Sequence, residues 1–198
     1  MPEPQTLELP IFPLGTVLYP DGLLPLRIFE QRYLDMTKIC IRDDAPFGVC
    51  LIREGNEVGT PAQPFEFGCT ARIAQWHMPH LGLFSLQCRG EQTFRIVKRW
   101  RMQNGLQRAT VQLLEPAPAH PLEPAHAPLA ALLERIVRQV GADNFPQPVR
   151  MDDAHWVARR LCESLPLDGS LKMRVLEAHD IDGVLGDLGD LLRRNAVI

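Results

Sequence analysis

The stretch Thr93-Phe94-Arg95-Ile96-Val97-Lys98-Arg99-Trp100-Arg101-Met102-Gln103-Asn104-Gly105-Leu106-Gln107-Arg108-Ala109-Thr110-Val111-Gln112-Leu113-Leu114 decides the first half of the fold. Two β-rich runs, Thr93–Gln103 and Leu106–Leu114, flank Asn104-Gly105, the dipeptide that best tolerates the positive φ angles of a tight hairpin. Working outward toward the N-terminus, Leu81–Arg89, Phe65–Gln75 and Phe47–Arg53 read as further strands. Leu7–Phe12 and Leu23–Phe29 are apolar segments separated by the turn formers Pro20-Asp21-Gly22. Gln31–Arg42 is the one helix expected here, with Tyr33, Met36, Ile39 and Cys40 on its apolar stripe. About seven short strands and a helix favour a closed or nearly closed mixed barrel, which hides its strand edges.

Beyond residue 115 the pattern changes. Five prolines (116, 118, 121, 124 and 128) fall within thirteen residues, and proline neither donates to a ladder nor lets its predecessor enter a helix easily. The expected organisation is a barrel over 1–117, an extended proline-rich linker over 118–128 and an antiparallel helical bundle over 129–198. Within that bundle, Leu129–Val140 stops at Gly141. A second helix is capped by Asp152 or Asp153 and runs to Ser164, with Trp156, Val157, Leu161 and Leu165 inward. Leu167–His179 follows behind Asp168, and Ile181–Arg194 is last. The fold class is α+β.

Composition narrows the function classes. The chain has 198 residues, 45% hydrophobic and 23% charged, with a net charge of −3, a globular balance with no basic excess to neutralise phosphates. Apolar runs are far shorter than a membrane helix needs, and Met1-Pro2-Glu3-Pro4 shows no secretory pattern, so a soluble cytoplasmic protein is expected. Cys40, Cys50, Cys69, Cys88 and Cys162 are odd in number and widely spaced, without a C-x-x-C, which argues against a disulfide framework or a zinc knuckle. Cys50, Cys69 and Cys88 lie in apolar stretches and read as small buried hydrophobes.

The residue types that carry catalysis are thinly supplied. Serine occurs only at 85, 164 and 170, and lysine only at 38, 98 and 172. Ser170 and Lys172 sit two apart at a helix start and point to different sides, so they make no hydrolytic dyad. His77 and His80 lack the rest of a ligand set and read as solvated residues of a hairpin tip. In Asp152-Asp153-Ala154-His155, helix capping with an exposed His155 is the simpler reading. Gly183, Gly186 and Gly189 do not form a dinucleotide fingerprint, and no phosphate-cradling G-x-x-x-x-G-K-[ST] occurs. No cofactor and no metal are expected. The cluster Arg95, Lys98, Arg99 and Arg101 is the best basic surface; at a strict period of two, Arg95, Arg99 and Arg101 share one face.

One set of blocks, taken in order, carries a resemblance. Leu9-Pro10-Ile11-Phe12-Pro13-Leu14 is followed by Val17-Leu18-Tyr19-Pro20-Asp21-Gly22, and then by Leu24-Pro25-Leu26-Arg27-Ile28-Phe29-Glu30-Gln31-Arg32-Tyr33. Phe47-Gly48-Val49, Gly68-Cys69-Thr70-Ala71-Arg72-Ile73 and Gly90-Glu91-Gln92-Thr93-Phe94-Arg95-Ile96 come next, and Trp156–Leu167 opens the helical part. As an ordered set these motifs resemble the N-terminal substrate-binding domain of Lon proteases, which also occurs as a stand-alone protein, with Arg27 and Gln31 in place of the family's usual His and Pro. The resemblance implies a PUA-like mixed β-barrel with one inserted helix, followed by a helical bundle. It implies recognition of unfolded or client polypeptides without an ATPase or protease module, and self-association as in Lon rings. Eukaryotic relatives carry a similar domain in a ubiquitin-ligase substrate receptor.

Within the signature block, Arg27, Phe29, Glu30, Arg32 and Tyr33 are the candidate polypeptide-binding or structural residues, with Glu30 and Arg32 suited to a buried ion pair that fixes the strand–helix junction. Apolar surface between barrel and bundle would suit an extended chain. Three functions compete. The leading one is a non-enzymatic polypeptide-binding module. The alternative is an RNA-binding protein of PUA-like fold using Arg95, Arg99 and Arg101. An enzyme is the third, and no constellation of residues supports it.

Overall fold

In the computed structural model, which describes residues 5–59 and 62–198, the described residues form six strands and five α-helices. They follow in the order β1 (Thr6–Leu14), β2 (Leu23–Ile28), α1 (Gln31–Asp43), β3 (Phe47–Glu54), β4 (Gln63–His80), β5 (Leu83–Arg101), β6 (Gln107–Leu113), α2 (Ala127–Val140), α3 (Ala154–Ser164), α4 (Gly169–Leu176) and α5 (Ile181–Arg194). The chain divides after Pro116 into two compact units.

The first unit is built on the Asn104-Gly105 hairpin. Gly105, at φ 85°, donates its N–H to Met102 O, and Asn104 Oδ1 accepts from the Leu106 N–H. β5 and β6 then pair antiparallel, Arg101 opposite Gln107 and Phe94 opposite Leu113. β6 pairs on its other side with β1, which itself runs parallel to β3. Since β3–β4 and β4–β5 are also paired, β1, β3, β4, β5 and β6 close into a barrel, and β2 flanks it on the first half of β5. Parallel pairing of β1 and β3 requires a crossover, and β2 with α1 supplies it. Alternation along β1 serves two cores: Leu9 and Ile11 pack with Cys50, Phe94, Ala109 and Val111, whereas Phe12 and Leu14 join Ile28, Tyr33, Met36, Phe47, Phe84 and Leu86.

Three local features differ from the sequence reading. Leu81–Arg89 and Thr93–Gln103 are one strand, so six strands form and not seven. The junction is Gly90, whose N–H donates to Gly22 O while its carbonyl accepts from the Asp21 N–H. The ladder thereby continues while β5 exchanges β2 for β6, and no turn is needed. Next, the β5–β6 register slips between Ile96 and Lys98, leaving Val97 as an extra residue. That bulge inverts the parity: Arg95 shares a side with Gln112, but Arg99 and Arg101 share the opposite side with Ala109 and Gln107. The three arginines therefore do not share a face. Lastly, Ile39 of α1 is exposed, since Tyr33, Met36 and Cys40 already complete the buried stripe.

The second unit, Ala117–Ile198, takes in much of the proline run. Pro121 bridges to Asp153, Leu122 N–H donates to Asp152 O (2.8 Å) and Ala154 N–H to His120 O (2.8 Å). A 3-10 turn at Pro124–His126 leads directly into α2, two residues earlier than expected, with Pro128 in the first turn, where its missing N–H costs nothing. The part of this run after residue 119 is thus hydrogen-bonded structure and not a free connector. Asp153, Asp168 and Asp180 cap α3, α4 and α5, each accepting an N–H of the first turn. At α5 a Cβ on Gly183 would meet Asp180 Oδ2 at 2.5 Å, so this glycine leaves room for the cap. Ser170 Oγ donates to Asp168 Oδ1, which places it in the cap. α4 ends at Leu176, short of His179.

His155 is buried rather than exposed, and desolvation pushes its pKa below the ordinary value. Leu129, Leu133, Val157, Leu161, Leu185 and Leu188 supply buried apolar surface from α2, α3 and α5. No helix of the described residues is long and apolar enough to cross a membrane.

All five cysteines are buried and none is in a disulfide. Burial pushes the Cys50 and Cys88 thiols up to about 12 and Cys40 to about 11. Since the thiolate is the reactive form, none of the five should react with Ellman's reagent at pH 8 in the native protein, and all five should react in denaturant. A thiol titrated promptly under native conditions would contradict this packing.

Candidate functional site

The end of β2 and the start of α1 meet at Phe29 and Glu30. Glu30 occupies the N-cap of α1 with extended backbone, and its carbonyl accepts from the Tyr33 and Leu34 N–H groups, both at 2.9 Å. Its side chain does not cap the helix. The carboxylate instead lies 2.8 Å from the guanidinium of Arg32, a side chain only 7% exposed. An arginine cannot shed its charge, so a buried one needs this counter-ion. The same guanidinium sits 4.7 Å over the Tyr33 ring, a cation–π contact, and the Tyr33 ring is 4.2 Å from that of Phe12. Burial raises the Tyr33 phenol above its ordinary pKa, with Arg32 opposing the shift. Glu30, Arg32, Tyr33 and Phe12 thus link the strand–helix junction to the core under α1.

Beside this junction opens a cleft of about 240 Å³. β2 supplies Pro25, Leu26, Arg27 and Ile28 to its wall, Phe29, Glu30 and Tyr33 continue it, β1 contributes Phe12 and Leu14, and the β3–β4 connection adds Glu57 and Val58. Phe29 is 56% exposed and Val58 57% exposed, two large apolar groups presented to solvent at one cleft. Glu57 accepts a hydrogen bond from the Gly15 N–H at 2.5 Å, which ties the segment after β3 to the loop after β1. Among the described residues, the edge of β2 away from β5 carries no strand. Pro25 lies on that strand and has no N–H to offer, the usual way of blunting an edge.

Four of the five signature residues therefore line the cleft: Arg27, Phe29, Glu30 and Tyr33. Arg32 does not line it and is held in the ion pair. The basic residues are elsewhere. Arg95 stands 3.9 Å from Glu66 and over the Phe67 ring at 6.0 Å, and the bulge at Val97 separates it from Arg99 and Arg101. His77 and His80 are exposed where β4 turns into β5.

The sequence reading missed Glu57 and Val58, which reach the cleft only through the β3–β4 connection and carry no local signal. It also missed a second group in the helical unit, His120, Glu123, His126 and Asp182. There the spacing Glu123-x-x-His126 is the one local sign.

Comparison with known proteins follows the same lines. A family model described as the ATP-dependent protease La (LON) substrate-binding domain matches residues 8–194. A Lon protease 2 from Herpetosiphon aurantiacus is 28% identical over 98% of this chain, which spans 24% of that protein's length. A Lon protease 2 from Myxococcus xanthus is 34% identical over 46% of this chain. Among solved structures, the crystal structure of a Lon N-terminal domain protein from Xanthomonas campestris is similar at a TM-score of 0.75 and 35% identity, covering 92% of this chain and 96% of that one. The N-terminal domain of the Mycobacterium avium complex Lon protease shares the fold at a TM-score of 0.64 and 18% identity, over 92% and 96%. On the match over 8–194 and the barrel-then-helices architecture, this chain belongs to the Lon substrate-binding domain family.

Proposed function

We propose that the chain holds extended or unfolded polypeptide and does not cut it, with the cleft at the β2–α1 junction as the binding surface. The observation that carries this reading is the exposure of Phe29 and Val58 beside an apolar cleft, next to the unpaired edge of β2. An extended peptide needs both elements: pockets for alternate apolar side chains and a strand edge for its backbone. Pro25 limits the number of backbone bonds, so side-chain contacts carry the larger share. Glu30 and Glu57 at the cleft, with Arg27 exposed on the wall, give the site charges of both signs and no strong preference for an acidic or basic chain. Membership of a family described as substrate-binding supports the reading.

Fluorescence anisotropy of the full chain against a labelled, permanently unfolded polypeptide tests it, at low and at physiological salt. Saturable, salt-tolerant binding is expected. Phe29→Ala should weaken it about tenfold, as truncation of an exposed aromatic anchor does. The melting temperature should hardly move, because that ring contributes little to the core. Binding only to a structured RNA, collapsing as salt rises, would overturn the proposal and favour the arginines of β5.

A further inference from the structure

The helical unit carries a second group of convergent polar side chains. Glu123, His126 and Asp182 each offer one ligand atom, and these atoms lie within 4.8 Å of one another. His126 Nε2 is 3.8 Å from Asp182 Oδ1, and His120 Nε2 is 2.7 Å from the other oxygen, Oδ2. Oδ1 is buried yet accepts no hydrogen bond, an uncommon state for a carboxylate oxygen. Against the His120 ring, edge-on at 6.3 Å between centroids, lies His155, 9% exposed, with a buried Nδ1 that likewise has no hydrogen-bond partner. An unsatisfied carboxylate oxygen, with an unpartnered imidazole nitrogen close by, points to something these residues are built to hold.

The backbone under each residue is anchored. His120 and Leu122 are hydrogen-bonded to Ala154 and Asp152, the His126 N–H donates to Glu123 O within the 3-10 turn, and Asp182 lies in the first turn of α5 behind the Asp180 cap. The 3-10 turn puts Glu123 and His126 on one side, and α5 brings Asp182 to them from 56 residues further along the chain.

We propose that His126, Asp182 and Glu123 bind a divalent transition-metal ion of the zinc class, with His120 as the group that orients the Asp182 carboxylate. Metal–ligand bonds of about 2.0–2.2 Å in a tetrahedral site put neighbouring donors roughly 3.4 Å apart. The observed 3.8 Å from His126 to Asp182 needs only a small closure, and exposed Glu123 is free to swing in. One imidazole and two carboxylates, leaving a coordination position for water, fit zinc or cobalt better than the all-oxygen shells of magnesium or calcium. A hydrogen bond from a second histidine to the far carboxylate oxygen is the usual outer support of such a ligand. Glu123 is exposed, so the group is open to solvent on that side.

The test is titration of the purified, chelator-stripped full chain with Co2+ and Zn2+ at pH 7.5. Saturable uptake of one Co2+ per chain is expected, with visible d–d absorption and no thiolate charge-transfer band, since the cysteines are not ligands. Zn2+ should displace the cobalt and Mg2+ should not. Glu123→Gln and Asp182→Asn should each weaken binding about tenfold or more, whereas a His77→Ala/His80→Ala double variant should leave it unchanged. Glu123 is exposed, so its variant stays folded even if D182N does not, which circular dichroism checks. Lack of saturable uptake, a thiolate band, undiminished binding by E123Q, or equal competition by Mg2+ would each overturn the proposal.

Discussion

Gly90→Ala is expected to remove at least about 3 kcal/mol of stability from the barrel unit, read as a shift of the urea midpoint at unchanged slope. A Cβ built at this position meets the carbonyl oxygen of Tyr19 at 2.1 Å and its carbon at 3.0 Å. Both are main-chain atoms, so no rotamer change relieves the collision. Retreat is blocked as well, because Gly90 is held by hydrogen bonds to Gly22 and Asp21 on the segment it would strike. To admit a methyl group the chain must break those bonds or displace β2, and β2 forms a wall of the candidate cleft. The variant should therefore lose polypeptide binding along with stability. A G90A protein within 1 kcal/mol of wild type would mean that the 19–22 loop yields easily, contrary to the packing described.

Phe94→Ala should cost about 3–5 kcal/mol, the usual range for removing a fully buried aromatic ring. Phe94 is 0% exposed, and it is packed against backbone. Its Cζ lies 2.8 Å from where a Cβ would stand on Gly48 and 2.6 Å from one on Gly68, so two bare glycines on β3 and β4 form the floor on which the ring rests. Truncation leaves a void that neither glycine can fill. The pair Gly48→Ala and Phe94→Ala should accordingly be non-additive, since the three atoms nearest to a Cβ added at Gly48 are all side-chain atoms, of Leu9, Ile11 and Phe94. A double-mutant cycle is expected to give at least about 1 kcal/mol of favourable coupling. Gly68→Ala should be rescued less, because its Cβ also strikes Val49 O at 2.4 Å. Strict additivity at Gly48 would show that the ring does not rest where these distances put it.

Much of the architecture was legible because local signals were strong. Asn104-Gly105 turns where a hairpin dipeptide should, and Asp153 and Asp168 cap two successive helices, as their place before apolar runs leads one to expect. What escaped was set by distant partners. Gly90 reads as a break in a β pattern, and only the approach of Tyr19 and Gly22 explains why a glycine sits inside a continuous strand. The bulge at Val97 leaves no mark on composition, yet it reverses every side chain after it, which is why alternation alone misassigned Arg99 and Arg101. At the candidate cleft, Arg27, Phe29, Glu30 and Tyr33 stand together in one motif, whereas Glu57 and Val58 arrive from beyond β3. The burial of His155 likewise follows from what packs around it and not from its place one residue past a helix start.

The pairing of β1 with β6 places Thr6 opposite Gln112, and this sets the timing of folding. The last strand of the ring is made some hundred residues after the first, an interval of about 5–20 s at ribosomal speed. Until then Leu9 and Ile11 have no permanent neighbour on the β6 side, and closure must meet the full entropic cost of a long loop, so slow, non-local folding is the expected regime. A nascent apolar strand is an invitation to pair with the wrong chain. In β1 that hazard is met by Pro10 and Pro13, whose missing N–H groups interrupt any foreign ladder yet fit opposite Arg108 and Cys50 in the finished barrel.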